Sequence, residues 1–177
     1  CFPGGKQDLQ DGGDDMVTAL RETKEEVGLD LVLCNSPQHK QESSETISQR
    51  QQQYEMEFLC RLRTLESVNH LCVTPIVGFV PNASSTTLSS QFQINHDEVD
   101  HAFWVPLSYF WNTPPAEQYN IDWSGETFVF HKYLYTTTTT TSSSSSADTR
   151  EFAITGLTAH LAHELATIAY GPQLGGM

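Results

Sequence analysis

The chain has 177 residues, of which 38% are hydrophobic, and a formal net charge of −13. This length suits a single globular domain over residues 1–177. A surface this negative repels phosphate backbones, so the composition argues against a general nucleic-acid-binding protein. A small phosphorylated substrate stays compatible with the charge, because a bound divalent metal inverts the local field.

Cysteine usage and hydropathy narrow the class of protein further. The cysteines, at positions 1, 34, 60 and 72, form no C-x-x-C pair, which predicts free thiols in a reducing, intracellular compartment. No apolar run is long enough to span a membrane, and no targeting signal is visible. The chain opens directly on a motif at Cys1, so we expect an N-terminally truncated domain.

The first predicted elements are a loop and a helix. Residues 1–13 are rich in Gly, Pro and Asp, a composition typical of tight turns. A helix is predicted over residues 16–27, with Asp14 or Asp15 as its N-cap. Gly28 follows directly and suits the left-handed residue that ends many helices.

Strands and two insertions are predicted next, and a helix closes the chain. Residues 35–53 are Gln- and Ser-rich, and residues 136–146 are a Thr/Ser tract, so both are predicted to be low-complexity insertions. A short helix or turn is expected after Pro106, and a helix over residues 158–170. The predicted strands cover residues 29–34, 54–65, 70–80, 101–107, 127–135 and 151–154. This order predicts an α/β domain of packed layers.

Three glutamates of the first helix carry the clearest chemical signal. Glu22 lies three residues before Glu25 and four before Glu26, so all three share one helix face. Like charges at this spacing repel each other, whereas a hard cation such as Mg²⁺ gains oxygen ligands from them. The alternative interpretation is a solvated acidic face, which is how most charge runs behave.

The residues on either side of this helix, together with the helix itself, match a known family signature. The matching residues are Pro3-Gly4-Gly5-Lys6, Asp8, Ala19-Leu20-Arg21-Glu22, Glu25-Glu26 and Gly28-Leu29. Together they resemble the Nudix box, a loop–helix–loop signature. The resemblance implies a Nudix-type α/β/α sandwich with a mixed sheet, here lacking its N-terminal strands.

The same resemblance implies roles for individual residues. Glu22, Glu25 and Glu26 would be ligands of Mg²⁺ or Mn²⁺, and Arg21 would hold the helix glutamates in place. Glu25 is the candidate within the box to share ligation and proton abstraction, and Glu98 is a second candidate base, unless it is an ordinary turn residue.

Substrate contacts are expected from the loop before the helix. Gly4, Gly5 and Lys6 are the candidate substrate-binding residues, with Lys6 as a phosphate contact or simply a solvated loop cation. One departure concerns the carboxylate expected eight residues before Arg21, because Gly13 stands there in a lengthened, Asp-rich loop.

Segments outside the box resemble the coenzyme A diphosphatase branch of this family. They are residues 73–79 (VTPIVGF), 97–99 (DEV), 103–110 (FWVPLSYF) and 154–159 (ITGLTA). This likeness implies hydrolysis of coenzyme A or acyl-CoA as the small-molecule substrate. Its peroxisomal form is the one resembled, which implies a peroxisomal location; the oligomeric state is left open.

Three alternatives stay open at this point. One is a Nudix hydrolase of another diphosphate, such as NADH, ADP-ribose or a nucleoside diphosphate sugar. Another is a catalytically impaired Nudix module that binds a ligand or partner. The third is a truncated chain that folds poorly.

Overall fold

The computed structural model describes residues 1–34, 53–67, 69–81, 83–123, 125–139 and 148–172. The predicted insertion at 35–53 lies outside the described residues except for Gln53, which begins a strand. The chain forms two compact units, Phe2–Ala102 and Phe103–Met177 with Cys1, and each is described by itself. The prediction of one domain over residues 1–177 stays a prediction.

The unit Phe2–Ala102 contains the first helix and a mixed sheet. Its elements are a 3₁₀ turn (Leu9–Asp11), α1 (Asp15–Val27), β1 (Asp30–Leu33), β2 (Gln53–Arg61), β3 (Leu65–Glu66), β4 (Cys72–Val73), β5 (Ile76–Phe79) and α2 (Ser85–Ser89). β1 runs parallel to β2, with Leu31 opposite Tyr54, and β2 runs antiparallel to β5, with Phe58 opposite Gly78. The predicted α/β class with a mixed sheet is confirmed.

The core of this unit lies where α1, the sheet and α2 meet. Tyr54 and Met56 alternate with exposed neighbours along β2, so one face of that strand is buried. The buried cluster consists of Val27, Leu29, Tyr54 and Leu88. Leu88 comes from α2, a short helix that Ser84 caps by accepting from the Thr87 N–H at 3.1 Å.

The unit Phe103–Met177 is an antiparallel meander with helices on it. Its elements are α3 (Leu107–Asn112), β6 (Glu117–Trp123), β7 (Glu126–Thr139), β8 (Asp148–Ile154) and α4 (Gly156–Tyr170). The strand order is β6-β7-β8, with Tyr119 opposite Phe130 and Tyr135 opposite Phe152. The predicted closing helix is therefore present, two residues longer at its start than expected.

Two predictions in this unit are wrong in part. Residues 101–106 form no strand, and helix α3 begins at Leu107, directly after Pro106. The Thr/Ser insertion was predicted to begin at residue 136, yet residues 136–139 continue β7 and pair with residues 148–151 of β8. Threonine is β-branched and favours strands, which accounts for the extension. Residues 140–146 lie outside the described residues.

Small residues let α4 pack closely on the meander. Ala159, Ala162 and Ala166 are buried, and Tyr133 of β7 is only 1% exposed. The imidazoles of His131 and His163 lie 4.2 Å apart between ring centroids. Burial, with the neighbouring His163 and His160, lowers the pKa of His131, so this ring is neutral in the folded chain near pH 7.

The sequence also led to expectations about the cysteines and about membrane-spanning segments. All four cysteines lie in the described part of the chain, and all are free thiols. None of the described helices is long and apolar enough to cross a membrane.

Candidate active site

Helix α1 presents the acidic residues, and its ends are fixed as predicted. Asp14 is the N-cap, accepting from the Met16 N–H at 2.9 Å. Gly28 ends the helix in the left-handed region, with φ 76°, and donates its N–H to the Lys24 carbonyl at 3.0 Å. Because the helix is fixed at both ends, Glu22, Glu25 and Glu26 extend from one face of it.

Arg21 is the cation around which the carboxylates gather. Its Nη1 lies 2.8 Å from Glu25 Oε2 and 3.0 Å from Glu22 Oε1. On the other side of the guanidinium, Nε and Nη2 each lie 3.0 Å from an oxygen of Asp11. Nη2 also donates to the Lys6 carbonyl at 3.1 Å. The planar guanidinium group of arginine can reach all these partners at once, because it carries N–H donors on several edges.

Asp11 is a site residue that the sequence did not predict. Its side chain is 1% exposed, and beyond Arg21 it accepts from the Thr18 hydroxyl at 3.0 Å and the Asp8 N–H at 2.8 Å. These hydrogen bonds, with Arg21 the strongest, hold the pKa of Asp11 well below its usual range. The expected carboxylate position was Gly13, but the carboxylate that pairs with Arg21 is that of Asp11, ten residues before Arg21.

A pattern in the loop was available to find Asp11. Asp8 and Asp11 are three residues apart and form a reciprocal capping box on the 3₁₀ turn. Gly12 and Gly13 follow with φ of 63° and 78°, which lets the chain turn back onto α1. An acidic capping box before a Gly-Gly pair is therefore a sequence pattern from which an ordered Asp11 could be predicted.

The glycines of the first loop lie against the carboxylates. A Cβ built on Gly5 would come within 2.6 Å of Glu22 Cδ, so a side chain at position 5 would displace the Glu22 carboxylate. The Gly4 backbone lies close enough to the Glu26 carboxylate to lower its pKa. Lys6 is exposed, and its carbonyl accepts from Arg21. The three predicted substrate-binding residues thus border the glutamates of α1.

Glu98 is brought close to the same helix from another part of the chain. Burial raises the pKa of Glu26, and the charges of Glu22 and Glu98 raise it further. Glu98 follows a segment hydrogen-bonded to the end of α1, where the Asn95 N–H donates to the Glu26 carbonyl at 2.9 Å. The structure therefore brings all five predicted acidic and basic residues of the site, Arg21, Glu22, Glu25, Glu26 and Glu98, into one region.

The donor chemistry of this region suits a hard divalent cation. Mg²⁺ and Mn²⁺ prefer carboxylate oxygens, and a cation would relieve the repulsion that raises the pKa of Glu26. Across the described ranges, however, no three His, Cys, Asp or Glu side chains are arranged to hold a metal ion. Arg21 contacts Glu22 and Glu25 instead, so a cation would compete with this guanidinium for their oxygens.

Known proteins similar to this chain cover nearly all of it. Peroxisomal coenzyme A diphosphatase NUDT7 of Mus musculus is 33% identical over 168 residues, 95% of this chain and 56% of that protein. Two Arabidopsis thaliana proteins, Nudix hydrolase 15, mitochondrial, and Nudix hydrolase 22, chloroplastic, are each 26% identical over 169 residues, 96% of this chain. The alignments cover 46% and 44% of those two proteins. No protein-family model matches the chain.

The chain thus spans about half the length of the curated relatives it matches. Each of these relatives carries the Nudix name or a Nudix symbol, and the box residues lie in the loop–helix–loop arrangement described above. From the box, the mixed α/β structure and these relatives together, we conclude that the chain belongs to the Nudix hydrolase family.

Proposed function

We propose that this protein hydrolyses the diphosphate of coenzyme A or acyl-CoA, using Mg²⁺ or Mn²⁺, to give 3′,5′-ADP and (acyl-)phosphopantetheine. The proposal rests on a group of carboxylates close to one guanidinium and to a glycine-containing loop. The carboxylates are those of Glu22, Glu25, Glu26 and Glu98, and the guanidinium is that of Arg21. The substrate follows the relative named as a coenzyme A diphosphatase. A peroxisomal, intracellular location belongs to the same proposal.

The carboxylates of α1 would hold the cation. Glu22, Glu25 and Glu26 lie on one helix face and supply the oxygen ligands that Mg²⁺ and Mn²⁺ prefer. When bound, such a cation neutralises and orients the diphosphate and favours ionisation of the attacking water. Arg21 contacts Glu22 and Glu25 and is itself fixed by the buried Asp11, so it limits where these two carboxylates can lie.

The remaining residues would bind the substrate and accept the proton. Gly4 and Gly5 bring the backbone close to the carboxylates without side chains that would fill the space. Lys6 supplies a positive charge for a phosphate oxygen on the exposed side of the loop. Glu25 is 52% exposed and Glu98 is exposed, so either carboxylate is accessible to take the proton of water during attack on phosphorus.

Product analysis tests the substrate assignment. Coenzyme A, acetyl-CoA, NADH and ADP-ribose are incubated separately with the chain and Mg²⁺, and the products are separated by chromatography and identified by mass. We expect 3′,5′-ADP and phosphopantetheine from coenzyme A, with NADH and ADP-ribose turned over at least about 10-fold more slowly. Equal turnover of NADH or ADP-ribose would contradict the coenzyme A assignment. Ligand binding without turnover of any of the four would favour a binding module.

A further inference from the structure

The end of α1 is completed by a segment from elsewhere in the chain. The last carbonyls of a helix lack partners within the helix and must find them outside. Here the Gln93 N–H donates to the Val27 carbonyl at 3.0 Å, and the Asn95 N–H donates to the Glu26 carbonyl at 2.9 Å. Residues 93–98, which we call the 93–98 segment, are therefore attached to the helix turn that carries Glu26.

Gly28 makes this attachment possible. A Cβ at Gly28 would lie 2.7 Å from Gln93 Cβ and 2.8 Å from Gln93 N. Such distances do not occur for real Cβ atoms, so any side chain at position 28 would push the 93–98 segment away. The glycine thus serves both the left-handed end of α1 and the close approach of Gln93.

Asn95 links the helix to the turn that carries Glu98. Its backbone carbonyl accepts from the N–H groups of Glu98, at 3.1 Å, and Val99, at 2.8 Å. Its side-chain Oδ1 accepts from the Asp97 N–H at 3.2 Å, an Asx turn that fixes the chain two residues on. One residue therefore bonds the backbone of Glu26 on one side and the backbone of Glu98 on the other.

We propose that Asn95 is a positioning residue that sets the Glu98 carboxylate against Glu26. Its backbone joins the turn to α1, and its side chain fixes the turn by accepting from the Asp97 N–H. The inference rests on the proposed hydrolysis, since it assigns Asn95 a part in that reaction. Asn95 does not touch the reacting atoms in this account. It acts through Glu98, so its effect should vanish when Glu98 no longer works.

A double-mutant cycle tests this dependence. Asn95→Ala is expected to lower kcat for coenzyme A about 5-fold, the usual effect of one hydrogen bond, with KM unchanged. Asn95→Ser should restore most of the loss, because a serine hydroxyl also accepts from the N–H two residues on. His96→Ala, an exposed change in the same turn, serves as the matched control and should leave kcat unchanged.

The combined variant gives the decisive reading. Asn95→Ala should add no further loss in a Glu98→Gln background, because both changes remove the same contribution. A fully multiplicative loss in the double variant would overturn the proposal by showing that Asn95 matters only for the fold. Full activity of Glu98→Gln would overturn it as well.

A readout independent of turnover separates this inference from the proposed function. If the wild-type chain hydrolyses none of the diphosphates tested, the proposed function fails, and amide hydrogen exchange then decides the positioning role. Exchange of the Asp97 amide, which donates to Asn95 Oδ1, should be about 5-fold faster in Asn95→Ala and near wild type in Asn95→Ser. Unchanged protection of the Asp97 amide in Asn95→Ala would overturn the role of Asn95.

Discussion

Replacing Gly28 with alanine tests whether the 93–98 segment is closely packed on the end of α1. Gly28 has φ 76°, and an L-residue in that region costs about 1–2 kcal/mol. The new Cβ would also meet Gln93 at 2.7 Å, and forcing atoms into a packed contact costs about 1–3 kcal/mol more. We therefore expect Gly28→Ala to lower the free energy of unfolding by about 2–5 kcal/mol.

Gly13→Ala is the matched control for this variant. Gly13 has nearly the same backbone angle, φ 78°, but a Cβ there meets nothing within 4 Å. It should pay only the backbone cost, about 1–2 kcal/mol. The difference between the two variants therefore isolates the contact with Gln93.

Urea denaturation gives the comparison directly. Midpoints for the wild type, Gly28→Ala and Gly13→Ala are converted to free energies of unfolding, provided that the slopes agree. Gly28→Ala should be less stable than Gly13→Ala by about 1–3 kcal/mol, and kcat should fall only in Gly28→Ala. Equal losses of stability in the two variants would refute the close packing of residues 93–95 on the helix end.

Three further variants probe the rest of the chain. Gly5→Ala should displace the Glu22 carboxylate and weaken Mn²⁺ affinity, measured by electron paramagnetic resonance, about 10-fold. Arg21→Lys keeps the charge but loses the fork that binds Asp11 on two nitrogens, so kcat should fall about 10-fold or more. His131 is neutral when folded, so the unfolded chain takes up its proton first as the pH falls below about 6.5, and stability declines. His131→Phe should make that decline shallower by up to about 1.4 kcal/mol per pH unit.

Each of these three predictions has a result that would contradict its physical reason. Gly4→Ala, where a Cβ meets nothing within 4 Å, should keep its Mn²⁺ affinity, and an equal loss in both glycine variants would remove the steric explanation. Wild-type kcat in Arg21→Lys would show that the guanidinium fork is dispensable. For the histidine, His96→Phe on an exposed position is the control, and an unchanged pH slope in His131→Phe would show that His131 titrates normally.

Local patterns predicted helix α1 and the contact between its charged side chains well. The bounds of α1 follow from Asp14, Gly28 and the spacing between them, and these are signals carried by the helix itself. The meeting of Arg21 with Glu25 follows from four-residue spacing on a helix. Such features depend on neighbours along the chain, so a single sequence is enough to predict them.

Contacts between distant segments could not be predicted in the same way. The 93–98 segment reaches α1 through backbone N–H and carbonyl groups, which every residue carries and which leave no pattern in the side chains. Asp11 was missed because it lies ten residues before Arg21, outside the eight-residue spacing that was expected. The strand predicted over residues 101–107 failed because Pro106 precedes a short helix, and apolar alternation alone does not distinguish buried coil from strand.

The Mg²⁺ dependence of coenzyme A hydrolysis by Glu26→Gln shows whether the α1 carboxylates hold the metal ion. Initial rates of 3′,5′-ADP release are measured against Mg²⁺ concentration for the wild type, Glu26→Gln and Glu57→Gln, an exposed β2 glutamate that serves as the control. We expect saturable Mg²⁺ dependence in the wild type and Glu57→Gln, with a loss of roughly 100-fold or more in Glu26→Gln. Full activity of Glu26→Gln, with unchanged Mg²⁺ dependence, would contradict this expectation.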